Sequence, residues 1–484
     1  MAYKSELLVI STGRLASTVI ALISIKAVTS YLSPEQYGEL AILITIQMLC
    51  GLFLINPVGQ HINLHTHKWW DDNTLIPRLK SFRTFVTLSS CIGSIVSLEA
   101  FNAGTPYIAL LTMLAVFTMV LAATWNATLI PMLNMLGFRN QSVSWSIVSS
   151  TTSLIASVLL VKIWPSAISW FTGQAIGLLL GAMGARYELL RKTPKDEYEK
   201  NTAVFLLTKH EILKYCIPLS LAAGLMWIQL SGYRFAIEYY WGLKKLGYFA
   251  IGLQLAGQIW ALAESLAIQF LYPFFYRRVS ENSNSTEIEL AVSDLLNTLT
   301  PLYLLLAGLT IAISPFLLKL LVAAEYADAW IFVAVGSIVE LCRALGNVLG
   351  NAAHVRRKTI HLAAPYAVGA AIILGGIINA GDRQLDISWA GAALILGAIM
   401  MLITMTVTMY NQVKFKLDKP RILISFLIMM SLVCLVNYAP VASSWVTALG
   451  YSIGISFIVA TILFMMLWNN PATLRLLSVQ LRKF

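Results

Sequence analysis

Leu7-Leu-Val-Ile-Ser-Thr-Gly-Arg-Leu-Ala-Ser-Thr-Val-Ile-Ala-Leu-Ile-Ser-Ile-Lys-Ala-Val28 is long and apolar enough to cross a bilayer, yet it contains Arg14 and Lys26. Arg234, Lys319 and Arg343 likewise stand within or at the end of apolar stretches. A cation at the centre of a helix in a bilayer costs about 2.5–3.5 kcal/mol even on translocon scales, so such groups face a polar interior. Several of them together suit a negatively charged cargo. The opening run lacks a convincing small-residue cleavage site after it, and it reads as a first span, not a signal peptide.

Working outward, apolar stretches of similar length recur to the far end of the 484 residues, in a chain that is 58% hydrophobic and only 12% charged. The pattern predicts an all-α integral membrane protein with about fourteen transmembrane helices. The predicted spans are 7–30, 38–60, 82–101, 106–128, 143–163, 165–185, 212–237, 246–272, 291–322, 328–352, 360–380, 387–410, 421–439 and 444–467. With the N-terminus inside, most of the 34 Lys and Arg fall in cytoplasmic segments: Lys4, Lys68 to Arg83, Arg139, Arg186 to Lys214, Arg277 and Arg278, Arg356 to Lys358, Lys414 to Arg421, and Arg475 to Lys483. Lys244, Lys245 and Arg383 fall in outer loops. This imbalance predicts both termini in the cytoplasm. The net charge of +11 is then a topology signal, and nucleic acid is not an expected partner.

Cys50, Cys91, Cys216, Cys342 and Cys434 occupy one predicted span each, which implies neither disulfides nor a zinc site. No phosphate-binding loop of the GxxxxGK[ST] type is present, nor HExxH or GxSxG, and no cofactor is expected. The outer connections are short and the longest inner one runs from Arg186 to Glu211, which leaves no soluble domain to hold catalytic groups. A membrane-embedded glycan polymerase or ligase is disfavoured for that reason, and the chain reads as a non-enzyme.

Tyr37-Gly-Glu-Leu-Ala-Ile42 recurs as Leu246-Gly-Tyr-Phe-Ala-Ile251, and Asn134-Met-Leu-Gly137 as Asn347-Val-Leu-Gly350, at nearly equal offsets. Two halves of six spans keep the same orientation because six is even, so the repeat is a parallel one. The expected organisation is an N-terminal six-helix bundle over 1–185, a cytoplasmic linker over 186–211, a C-terminal six-helix bundle over 212–412, and two extra helices with a tail over 413–484. Spans 13 and 14 have no charged residue between Ile422 and Leu467 and are expected at the periphery.

Arg14-Leu-Ala-Ser and Tyr31-Leu-Ser-Pro-Glu-Gln-Tyr-Gly-Glu-Leu-Ala41 resemble the opening of the Wzx-type O-antigen and polysaccharide flippases of the MOP superfamily. Gln229-Leu-Ser-Gly-Tyr-Arg-Phe235 with Leu246-Gly-Tyr-Phe-Ala250 resembles the equivalent at the second bundle, although Ser231-Gly-Tyr233 departs from the acidic residue often found there. Asn134-Met-Leu-Gly-Phe-Arg139 resembles the inner turn after span 4. The resemblance implies a MATE-like fold and a flippase that moves an undecaprenyl-diphosphate-linked oligosaccharide across the bacterial inner membrane. It implies membrane lipids, a polysaccharide polymerase and a chain-length regulator as partners. The rivals are a cation-coupled multidrug exporter of the same superfamily and a lipid II flippase.

A diphosphate needs cations, and Arg14, Lys26, Arg234 and Arg343 are the candidates to line its cavity. Arg14 at the inner side, and Lys26 and Lys319 at the outer, are near enough to an interface to snorkel instead. Arg234 and Glu238 are four apart and Glu340 and Arg343 three apart, so each pair shares a helix face. Glu264 and Asp294 have no local partner in the sequence, and with Glu238 they are candidates for coupling to an ion. Trp227 and Trp260 lie well inside spans and are candidates for sugar contact. The hydroxyl-rich stretches Ser142 to Ser146 and Ser149 to Ser153 either line the cavity or mediate close helix packing. Pro218 and Pro301 are the expected hinges.

Overall fold

Ser33 ends the first helix and starts the second by one local device. Its hydroxyl accepts from the Gln36 amide (3.3 Å) while its own amide donates to Gln36 Oε1 (3.0 Å), and Pro34 fills the first helical position, where no N–H is needed. The Leu-Ser-Pro-Glu turn is thus a capping box. The computed structural model describes residues 2–100, 105–193, 209–279, 284–355, 359–438, 444–468 and 470–481; at 2–11, 14, 209–215, 218, 354, 359 and 477–481 it describes the backbone alone. Every regular element among them is helical.

By packing, the chain forms two compact units, Met1–Phe235 and Ala236–Phe484. The first contains α1 (Ala2–Tyr31), α2 (Pro34–Leu49), α3 (Asn56–Asp71), α4 (Leu75–Ala100), α5 (Pro106–Met135), α6 (Arg139–Ile163), α7 (Ala167–Lys192) and α8 (Lys209–Trp227). The π-helical segment Cys50–Ile55 joins α2 to α3, and another, Ile228–Gly232, follows α8. Next come α9 (Tyr233–Phe270), α10 (Tyr272–Arg278), α11 (Ser285–Leu321), α12 (Trp330–Val355), α13 (Ala363–Asp382), α14 (Ser388–Tyr410), α15 (Lys419–Leu435), α16 (Trp445–Trp468) and α17 (Pro471–Leu481). Helix α8 packs on α3 and the Cys50–Ile55 segment, so this boundary falls one helix later than the sequence division. Most of the expected 186–211 linker, residues 194–208, lies outside the described residues.

Twelve stretches among the described residues are long and apolar enough to cross a membrane. One of them, Leu219–Phe270, has 52 residues, which at 1.5 Å each spans about 78 Å, more than twice a hydrocarbon core of about 30 Å. It breaks at Gly242, whose φ of 77° and ψ of 168° suit glycine alone, and so supplies two crossings. With the apolar part of α1, Leu15–Tyr31, the count meets the sequence expectation.

In the first unit, α7 lies against α6 and α5. Ser149, Ser153 and Ser157 on α6 donate to the carbonyls of Gly177 (3.2 Å), Gln174 (3.1 Å) and Trp170 (2.9 Å) on α7. A Cβ at Gly173, Gly177 or Gly181 would lie within 2.1–2.5 Å of α6 atoms. Small residues four apart let the backbones meet, and the hydroxyls hold them there. In the second unit α11 is the hub, with 61% of its apolar window buried, and α10, α12, α15, α16 and α17 pack around it. Helices α15 and α16 are among the least buried spans, at 17% and 11%, which puts them at the periphery of this unit.

Candidate functional site

Helix α12 presents Glu340, Arg343, Asn347 and Asn351 at spacings of three and four, one stripe facing α9 and α10. Arg343 donates from Nε to Glu340 Oε2 (2.6 Å) and from Nη2 to Glu264 Oε2 of α9. Asn347 Nδ2 donates to the other oxygen of Glu264 (3.2 Å). Asn351 donates to the Tyr272 hydroxyl (3.2 Å) and accepts from the Tyr276 hydroxyl (3.1 Å), which extends the network onto α10. The three charged side chains are 16–25% exposed, so the cluster is not sealed within the helices. One guanidinium against two carboxylates leaves one negative charge in excess.

That arrangement bears on two sequence expectations. Glu264 is not without a partner, because the fold supplies Arg343 from a helix 79 positions away. Arg343 meets Glu340, as their spacing allows, and Glu264 as well, so in this structure two acids hold its Nε and Nη2. The α12 stripe also adds Asn347, which the sequence marked only as part of the repeat, and Asn351, which it passed over; their signal is the spacing from Arg343 in an otherwise apolar helix.

In the first unit, the π-helical turn before Arg234 faces α2 at three places, Ala41, Thr45 and Met48, that share one side of that helix. Trp227 Nε1 donates to the Thr45 carbonyl (3.1 Å), Ser231 Oγ contacts Met48 Sδ (3.0 Å), and Arg234 Nη1 reaches the Ala41 carbonyl (3.4 Å). Arg234 Nε is buried and has no hydrogen-bond partner. An ion pair to Glu238 is not among those of the described residues, so sharing a face did not bring the two together. Arg234 is therefore a cation in a membrane span that the described fold leaves short of acceptors. A π-helical turn widens a helix locally and is frequent at functional sites; here it accompanies Trp227, Ser231 and Arg234.

A cavity of about 270 Å³ opens between α1, α5 and α6, with Ser17, Asn126, Asn134, Ser142 and Ser146 as its polar lining. Pro131, also on the wall, has no N–H for the Ala127 carbonyl, while the Ser142 hydroxyl donates to Ile130 O (2.8 Å). The two hydroxyl stretches of α6 thus divide: Ser142 and Ser146 line the cavity, and Ser149 and Ser153 bind α7. Asn134 and Asn347, equivalent in the sequence repeat, both stand at polar sites in their own units. Gly137 and Gly350 differ in conformation, since Gly137 closes α5 with φ of 87° whereas Gly350 is inside α12. Asn134 was marked in the sequence by the repeat alone, and Asn126 drew no attention there, being a single amide in an apolar helix.

The remaining candidates separate clearly. Asp294 is not unpartnered: it is 1% exposed and accepts from Arg278 Nη1 (2.9 Å) and Arg475 Nη2 (2.6 Å), which joins α10, α11 and α17. Its hydrogen bond holds the Arg475 guanidinium above the ordinary value. The carboxylate acts as a clasp between the two arginines. Trp260 is fully buried against Tyr303, with Nε1 directed at Ser337 Oγ (3.4 Å), so a sugar has no access to its ring. Trp227 is half-buried, and Lys26 and Lys319 are exposed. The side chains of Arg14 and Pro218 lie outside the described residues.

No family model and no curated protein matches the sequence. Solved structures match in fold. A lipid II flippase, MurJ, in an inward closed conformation is similar with a TM-score of 0.69 at 12% identity, over 96% of this chain and 99% of its own. A multidrug resistance MATE family transporter of the MOP superfamily, inward-facing, is similar with a TM-score of 0.55 at 11% identity, over 84% and 95%. A MOP superfamily transporter from Pyrococcus furiosus, described by a binding pocket of reverse polarity, is similar at 0.50 and 12%, over 89% and 94%. The chain has the MOP transporter fold and is a multi-pass membrane protein.

Proposed function

We propose that this protein is a flippase that carries an undecaprenyl-diphosphate-linked oligosaccharide, the repeat unit of an O-antigen or exopolysaccharide, from the cytoplasmic to the periplasmic leaflet by alternating access. The observation that carries the reading is Arg234, whose buried Nε lacks an acceptor in a membrane span. Arg234 as a whole is half-buried and its one carbonyl contact is long, so its guanidinium suits a phosphate oxygen, which would add hydrogen bonds and balance its charge together once a rearrangement opens the site. In the α1–α5–α6 cavity Ser17, Asn134 and Ser146 offer donors and acceptors to one end of a glycan, while the Asn126 amide nitrogen and the Ser142 hydroxyl already donate within the bundle and keep only acceptor oxygens for it; the lipid tail stays in hydrocarbon. The inner membrane is the proposed location, with both termini cytoplasmic, and a polymerase and a chain-length regulator are the proposed partners.

Lipid II is the second reading, favoured by the match to MurJ. Coverage of 96% of this chain leaves too few residues unmatched to omit both α15 and α16. The multidrug exporter draws support from the MATE fold, but a surplus cation such as Arg234 repels an organic cation. Glu264 is the proposed coupling group, because its cluster holds one negative charge in excess, which a proton or sodium ion would balance.

The test is translocation in liposomes reconstituted with the full chain, scored by protection of labelled undecaprenyl-diphosphate oligosaccharide and, separately, of lipid II. The expected result is protein-dependent flipping of the oligosaccharide that falls at least tenfold in Arg234→Ala, about the value of one charge-assisted hydrogen bond. Flipping of lipid II alone would decide for the second reading. Transport that survives Arg234→Ala would keep the function and remove the residue.

A further inference from the structure

A second, smaller pocket lies between α4, α5 and α7, in a groove whose floor is Trp125 and Leu129. One wall is the start of α4, with Ile76, Leu79, Lys80 and Arg83; the other is the end of α7, with Arg186, Leu189 and Leu190. Helix α4 runs opposite to α5 and α7, so the first turns of α4, the C-terminal half of α5 and the last turns of α7 meet at one end of the bundle. Three cations therefore converge there, and no carboxylate is part of the lining. The nearest acid along α7, Glu188, is two positions from Arg186 and projects from another side of the helix.

The surfaces leading away from those cations are apolar and exposed. From Lys80, steps of four and three along α4 reach Thr84, Leu88, Ile92 and Ile95, and the last three are 60%, 48% and 59% exposed. Counting back from Arg186 along α7 reaches Met183, Leu180 and Ile176, exposed to 58%, 46% and 41%. A cationic notch therefore heads two apolar tracks that run towards the middle of the membrane. Trp125, held edge-on to Phe82 at 5.7 Å, sits where an indole meets an interface.

We propose that this groove binds an anionic glycerophospholipid of the surrounding bilayer, with its phosphodiester among Lys80, Arg83 and Arg186 and its acyl chains along the two tracks. Charge and shape favour that occupant: a basic pocket between transmembrane helices next to lipid-exposed apolar surface. Size does too. The pocket, about 60 Å³, has room for about four waters, which fits one phosphate but not a diphosphate carrying sugars.

The experiment is native mass spectrometry of the full chain from detergent, titrated with phosphatidylglycerol, phosphatidylcholine and undecaprenyl phosphate. One phosphatidylglycerol is expected to stay bound in preference to phosphatidylcholine, and Arg83→Gln with Arg186→Gln is expected to lower that preference about thirtyfold. Lys244→Gln, which removes a cation elsewhere, should leave it unchanged. Equal retention of the two phospholipids, or retention unaltered in the double variant, would sink the proposal. Displacement by millimolar inorganic phosphate would make it a free-phosphate site, and displacement by undecaprenyl phosphate a cargo site; either overturns it. In case the double variant fails to fold, quenching of wild-type fluorescence by head-proximal brominated phosphatidylglycerol should diminish in Trp125→Phe. An unchanged difference between those two would also overturn the assignment.

Discussion

A single guanidinium behaves in opposite ways in the two units, and burial and partners decide which. Arg343 sits between Glu264 and Glu340 and has no positive charge to spare, whereas Arg234 has one carbonyl at 3.4 Å and a buried Nε without an acceptor. Removing a partner from a buried ion cluster costs about 3–5 kcal/mol, and partial exposure puts this cluster near the lower figure. Arg343→Ala is therefore expected to destabilise by about 3 kcal/mol, since it leaves Glu264 facing Glu340. Glu264→Gln combined with it should recover a good part of the loss. Unfolding by SDS titration across the double-mutant cycle measures this, and strictly additive losses would mean that the two residues do not interact. If Glu264 is also the coupling group, Glu264→Gln alone should abolish the dependence of transport on an imposed ion gradient.

At the scale of helices, the closeness of α6 and α7 rests on glycines opposite serines. A Cβ at Gly177 would lie 2.1 Å from the Ser153 backbone nitrogen, a clash that no rotamer change relieves. Overpacking of this kind costs about 1–3 kcal/mol, and Gly177→Ala is expected to lose that amount. Gly450 in α16 meets nothing within 4 Å. There Gly450→Ala should be neutral or stabilise by up to about 1 kcal/mol, the difference in helix propensity. Thermal unfolding of both variants in the same detergent is the comparison to make, and equal midpoints would remove the α6–α7 contact as a source of stability. The clasp of Asp294 with Arg278 and Arg475 belongs to this scale as well, because it fastens the amphipathic α17 to the hub helix α11.

For the molecule as a whole, orientation follows from where Lys and Arg gather. Cysteine placed at Lys244 in a chain without its own five cysteines should react with an impermeant maleimide added outside intact cells, and cysteine at Lys414 only after lysis. The reverse pattern would invert the proposed direction of transport. The repeat is visible at this scale too: Tyr37 to Ile42 and Leu246 to Ile251 have the same alternation of buried and half-buried positions, each within its own unit. By itself the sequence determined the all-α class, the number of crossings and the charged residues worth attention, because apolar length, charge asymmetry and helical spacing act over a few turns of one helix. Only the tertiary structure decided what those charges do. Glu264 meets Arg343 across 79 residues and Asp294 meets Arg475 across 181, distances at which sequence spacing says nothing about approach. Trp260 looked available for a sugar because the burial of a ring depends on the helices around it, and α11 and α12 close over this one. The serines of α6 divided between packing and cavity for the same reason: a hydroxyl binds whichever carbonyl the neighbouring helix brings within reach, and only the glycines of α7 let that helix come near enough.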